Sequence, residues 1–194
     1  MNGHGGGATP TANGVATDGS TQDLSQIVAA LEAIYSPQSS NEVRKQASHF
    51  LEAAKQARNA VSQAFTLAVN ASQPPALRHY GLSVLEHTIK YRWEDITEEQ
   101  GKAVRDCVVE LAQVVTDEDP AYLRNKIAQL WTELAKRSWA AEWMNMDELL
   151  NDLWAGSLAK RMIVLYVLET LSEEIFSKDA VSYTHLTLPT ILRV

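Results

Sequence analysis

The side chains able to do covalent or acid–base chemistry are few and scattered. Cys107 is the single cysteine among 194 residues. Neither an intramolecular disulfide nor a thiolate metal cluster can form, which suits a reducing compartment. Val104, Val108 and Leu111 surround it at helical spacing and point to a buried thiol, with no His or basic pair nearby to lower its pKa. His79 and His87 stand eight apart on one stretch, whereas two ligands on a helix need a spacing of three or four, with partners. Asp117, Glu118 and Asp119, and again Glu173 and Glu174, are adjacent acids. No apolar pocket is suggested around them that would tune them for proton transfer. The glycines near the start lack the preceding strand and following Lys of a phosphate loop. No Ser-His-acid set is present. The chemistry expected is binding, with no metal, no cofactor and no catalysis.

The charge balance narrows what is bound. A formal net charge of −7 argues against a segment that grips nucleic acid, which needs a basic stripe. Trp93, Trp131, Trp139, Trp143 and Trp154 are an aromatic platform for RNA bases on one reading. On the other, they are packing between helices, which their helical spacing and apolar company support. The longest apolar run, 162–168, is too short to span a bilayer, so no membrane insertion is expected.

These side chains must be positioned by helices. Five of the 9 glycines fall in the first fourteen residues, and the stretch 1–20 has almost no charge and no apolar core; it reads as a disordered leader. From Asp23, apolar residues recur at three and four: Leu24, Ile27, Val28, Leu31 and Ile34. Pro37 stops that helix. Ser39, Ser40 and Asn41 offer caps for a second, with Val43, Ala47, Phe50, Leu51 and Ala54 inward. A third helix is expected over 59–71. A fourth opens at Pro75 and runs to Trp93. Thr97 and Gln100 make a capping box for a fifth, with Val104, Cys107, Val108, Leu111 and Val115 on its core face. A sixth follows the turn 116–120, with Leu123, Ile127, Leu130, Trp131 and Leu134 inward. A short helix over 146–154 and a longer one over 157–176 complete the pattern, and no credible strand precedes residue 180.

Second helices of successive pairs begin near Ser39, Pro75, Asp119 and Ser157. A unit of roughly 36 to 44 residues lies in or just below the range of HEAT and armadillo repeats. Two second helices end alike, at Lys90–Trp93 and Lys136–Trp139, with basic residues where the helix macrodipole favours them. The expected fold is all-α, an α-solenoid of about four HEAT-like helix pairs.

The stretch 81–93, with Arg78, Leu82, Leu85, Ile89, Lys90 and Trp93, resembles the N-terminal repeat of the importin-β superfamily, the karyopherins. The stretch 41–51 is similar to that family's first-repeat helix. Residues 85–93, 136–143 and 165–174 look most like the exportin-5 branch and its fungal relatives, and the resemblance covers about 23–178. It implies N-terminal repeats over 21–178 of a large nuclear-transport receptor, moving between nucleus and cytoplasm. Such a receptor binds the GTPase Ran in its GTP state, nucleoporins, and an export cargo of structured RNA or protein that is held mainly by further repeats. A generic α-solenoid scaffold without GTPase dependence is the alternative.

The family's Ran site draws on the second helices of the first repeats. Residues opposite the buried stripes are therefore the contact candidates: Arg44, Lys45, Ser48 and Lys55; then Arg78, Leu82, Glu86 and Lys90; then Asn125, Gln129 and Glu133. A solvated helix face explains most of them equally. Leu82, apolar on a polar face, fits a buried hot spot or packing against the adjacent helix. The stretch 181–190 has no place in the helical pattern and resembles translated sequencing-adapter sequence. Residues 179–194 are accordingly expected to be non-native or unstructured, at the end of a truncated gene, with a genuine β-prone tail as the alternative. A stack cut short leaves an apolar end near 165–176 and predicts poor solubility or self-association.

Overall fold

The computed structural model describes residues 16–139 and 142–187. Among them are eight α-helices: α1 (Ala16–Tyr35), α2 (Asn41–Ala54), α3 (Ala60–Val69), α4 (Pro75–Tyr91), α5 (Glu98–Val114), α6 (Ala121–Ser138), α7 (Met146–Trp154) and α8 (Leu158–Thr187). A 3-10 turn covers Trp93–Asp95. The described residues hold no strand; their one extended pairing is a bridge between Trp139 and Trp143. The fold is all-α and built of HEAT-like helix pairs.

The chain divides into two compact units, Met1–Ala54 and Lys55–Val194. The first is the α1/α2 pair, closed around Ile27, Leu31, Ala47 and Leu51. Val43 and Phe50, expected inward, are exposed at 44% and 37%. The second unit stacks three pairs. Its first helices, α3, α5 and α7, pack in sequence as one layer, and its second helices, α4, α6 and α8, as the other.

Local chemistry sets the boundaries. Pro75 opens α4, where its missing N–H would have had no partner in any case. Thr97 and Gln100 close the expected capping box on α5, at 3.2 Å and 2.8 Å. Asp117 accepts the backbone N–H of Ala159 at 2.6 Å, so an acid of the 116–120 turn caps the start of α8.

Two boundaries differ from expectation. Helix α1 begins at Ala16, inside the stretch read as disordered, and the backbone of α8 continues to Thr187, past the expected end at 176. Once an amphipathic segment has nucleated a helix, each further residue gains a hydrogen bond for the two dihedrals it fixes. Polar flanks therefore propagate a helix that they could not start. The expectations for 1–15 and 188–194 lie outside the described residues.

The α6 stripe, Leu123, Ile127, Leu130, Trp131 and Leu134, is buried to 1% or less. Trp131 stacks on Trp143 with ring centroids 4.9 Å apart, and Trp93 lies partly buried under Gly101 of α5. These three tryptophans pack as expected, whereas Trp139 and Trp154 are half exposed, at 49% and 48%.

Gly81 lets α4 approach α3 closely. A Cβ there would overlap the carbonyl oxygen of Ala64 and stand 3.1 Å from the Ala68 nitrogen. Both are backbone atoms and cannot swing aside. The substitution Gly81→Ala should cost about 2–3 kcal/mol, as overpacking a tight interface does. The urea midpoint should fall with little change in slope, and an unchanged midpoint would show that α3 and α4 can part freely.

Candidate partner interface

Each second helix carries Arg as its fourth residue: Arg44, Arg78, Arg124 and Arg161. All four reach back to a carbonyl at the end of the preceding helix or in the turn after it. Arg44 Nη2 donates to Ser36 O at 2.8 Å, Arg78 Nε to Ala68 O at 3.2 Å, Arg124 to Asp119 O, and Arg161 Nε to Trp154 O at 3.1 Å. A helix end leaves its last carbonyls without intrahelical donors, and a guanidinium supplies donors in a rigid fork.

The clamp corrects two candidates. Arg78 is not a free contact residue: it is buried, and its second arm forms an ion pair with Asp119. Asp119 also accepts from the Thr116 N–H at 2.8 Å and the Thr116 hydroxyl at 3.2 Å. Arg44 spends one arm of its guanidinium on its turn. Leu82 is a third correction. At 2% exposure it belongs to the core, because α4 is covered by α3 on one side and by α6 on another.

The remaining α4 and α6 candidates form a lattice of alternating charge. Glu86 of α4 pairs with Lys90, 2.9 Å away on its own helix, and with Lys126 of α6. Lys90 also faces Glu133 of α6 at 3.8 Å, and Glu133 holds Lys136 at 3.0 Å. Gln129 accepts from Lys126 at 3.3 Å, and Asn125 is exposed one turn before it. The order along the face is Lys126, Glu86, Lys90, Glu133, Lys136, three cations against two anions. Burial pushes the Glu86 carboxyl up, but the hydrogen bonds from Lys126 and Lys90 outweigh it and hold it below its ordinary range. The hydrogen bond to Glu86 raises Lys90 in turn. At one end, His79 packs edge-on against Tyr122 at 5.6 Å. Burial and then the charge of Lys126 lower its pKa, so it is neutral near pH 7.

Sequence reasoning missed Lys126, Lys136, His79 and Tyr122. The signal available was charge spacing, with Glu and Lys at i and i+4 in 86/90 and at i and i+3 in 133/136. In the first unit, Lys45 and Ser48 are exposed on α2. Lys55 opens the second unit, half-buried, and its carbonyl accepts from Arg92 at 3.2 Å.

The one cysteine is poorly suited to act as a nucleophile. Burial, with Glu110 and Asp106 nearby, pushes the Cys107 thiol up to about 11, so almost no thiolate exists at neutral pH. Among the described residues no group of His, Cys, Asp and Glu has the geometry to hold a metal, and no helix is long and apolar enough to cross a membrane.

The sequence has counterparts among known proteins. The importin-beta N-terminal domain family matches residues 47–114, and the exportin 1-like protein family matches residues 120–188. Protein MSN5 of Saccharomyces cerevisiae is 34% identical over 169 residues, covering 80% of this chain and 14% of that protein. Exportin-5 of Dictyostelium discoideum is 27% identical over 152 residues (78% of this chain, 13% of the relative). Exportin-5 of Mus musculus is 26% identical over 168 residues, covering 85% and 13%. The chain thus spans about one seventh of the length of these relatives.

The Arg78–Asp119 pair generates a stability prediction with a definite sign. Burial alone would raise the Asp119 pKa, but hydrogen bonds from Arg78 and Thr116 lower it on balance. Its contribution is fully present above the unfolded carboxylate pKa of about 3.9 and is lost as pH falls through the lower folded value. Arg78→Ala, which leaves a buried carboxylate unpaired, should destabilise the second unit by about 3–5 kcal/mol at pH 7. In Asp119→Asn the loss of stability between pH 4 and pH 2 should be shallower than in the unmodified chain. Urea titrations at three pH values read both effects.

Proposed function

The chain belongs to the importin-β superfamily, and from that membership we propose that it supplies the N-terminal repeats of a nuclear export receptor and part of a binding site for Ran in its GTP state. The observation that carries the reading is collinearity. An importin-beta N-terminal match is followed directly by an exportin 1-like match, and within the second unit α4 and α6 together carry a charged face.

Within the second unit, Glu86, Lys90, Asn125, Gln129 and Glu133 are the proposed contacts, joined by Lys126 and Lys136. Lys45 and Ser48 in the first unit are proposed separately, as is Lys55. A partner docking on pre-paired charges gains little from each pair, since desolvation offsets attraction, but it gains orientation and selectivity. Cargo, a structured RNA or a protein, would be held mainly by repeats beyond this chain, with nucleoporin contacts allowing movement between nucleus and cytoplasm. Cargo and GTPase affinities are then coupled reciprocally, each raising the other by the same factor. The net charge of −7 speaks against RNA being gripped by these residues themselves.

The test is binding of the 194-residue chain to Ran loaded with GTP beside Ran loaded with GDP, followed by calorimetry or interferometry. Preference for the GTP form is expected, with affinity falling as salt rises. Lys90→Glu, which puts a third carboxylate between Glu86 and Glu133, should weaken binding about threefold to tenfold while leaving helicity unchanged. Equal affinity for the two nucleotide states would instead identify a scaffold without GTPase dependence.

A further inference from the structure

Between α3 and α5, at the end of α4, the second unit holds a cavity of about 360 Å³, within the size range of small-molecule sites. The two helix pairs that form it are consecutive and both present in this chain, and no residue of the charged lattice on α4 and α6 lines it. Val61, Phe65, Ile96, Val104 and Cys107 make its wall largely apolar. Thr88 also lines it, but its hydroxyl is bonded back to the Val84 carbonyl at 3.2 Å and is not open to a ligand.

The charges on the lining are of one sign. Arg58 and Arg92 are there, with no Asp or Glu, in a chain that carries 24 acids against 17 bases. Arg58 is exposed and pairs with no acid among the described residues. Arg92 spends Nη1 on the Lys55 carbonyl at 3.2 Å, which ties its guanidinium to the 55–59 turn that carries Arg58. The start of α3 lies on the same wall, where Asn59 makes no side-chain cap, and a helix start favours negative charge. We propose that this cavity binds a small amphipathic carboxylate, with its hydrocarbon body on the apolar wall and its carboxylate between Arg58 and Arg92.

The net charge of −7 does not oppose such a ligand. At physiological ionic strength charges beyond about 8 Å are largely screened, whereas a guanidinium holds a carboxylate at contact through parallel hydrogen bonds. A cationic ligand would meet two like charges at the cavity. A neutral apolar one would fill the same space but gain nothing from the guanidinium groups.

The inference does not depend on the transport reading. Cys107 is the single cysteine, half-buried on the cavity wall, so alkylation by iodoacetamide at mildly alkaline pH, followed by intact mass, reports on this cavity. Octanoate is the probe, titrated from micromolar to low millimolar, beside its neutral isostere octanamide. Octanoate should slow labelling in a saturable way, at a concentration about threefold to tenfold lower than octanamide needs, which is what one or two partly exposed charge-assisted bonds contribute. In Arg58→Gln, at an exposed position, octanoate should lose most of that advantage while octanamide protects as before. Labelling that octanoate leaves unchanged would overturn the proposal. Equal protection by acid and amide, or an Arg58→Gln variant that keeps the full preference for the acid, would overturn it as well.

Discussion

The reach of one arginine per helix pair, back to the end of the helix before it, is the interaction on which each pair's geometry depends. Arg44, Arg78, Arg124 and Arg161 all stand fourth in their helices, and each satisfies a carbonyl that the preceding helix or its turn leaves open. Hydrogen bonds to charged groups contribute about 1.5–3 kcal/mol apiece. Their larger effect is geometric, since a planar guanidinium tied to the end of the preceding helix or its turn limits how far the second helix folds back on the first. Helices of 10 to 18 residues, as α3 to α6 are, owe most of their stability to such tertiary support.

In the second unit the same device links one pair to the next. The 116–120 turn carries two acids with opposite duties. Asp119 holds Arg78 of the preceding pair, while Asp117 caps α8 of the following one. A short polar turn thereby registers three second helices against each other. Gly81 and the Trp131–Trp143 stack then supply the close packing that makes the register unique. With its turns and first helices committed to structure, the second-helix layer of this unit carries a face of paired charges. The alternating lattice on α4 and α6 is that face.

Much of this was legible in the residues. Pro75, the Thr97–Gln100 box and the polar turn at 116–120 marked helix boundaries through local rules that hold in any context. The α6 stripe appeared residue for residue. The reading failed where burial comes from more than one side. Periodicity reports a single apolar stripe, so Arg78 read as a surface residue and Leu82 as either a hot spot for a partner or packing against the adjacent helix. Both are buried because α4 is wedged between α3 and α6, and the residue that neutralises Arg78 lies 41 positions away. Lys126 escaped notice for the same reason, since its partner Glu86 is on another helix.

The sequence by itself determined the helical class, the repeat length and the kinship of the chain. Each of these follows from residue types and spacings within a few turns. Only the tertiary structure decided which charges are spent inside the fold and which remain at the surface, because that depends on neighbours brought together across some 40 residues. The four equivalent arginines divide on this basis. Arg78 meets a carboxylate in a closed interface and is structural, whereas Arg161 clamps its turn with one nitrogen and leaves the rest of its charge at the surface.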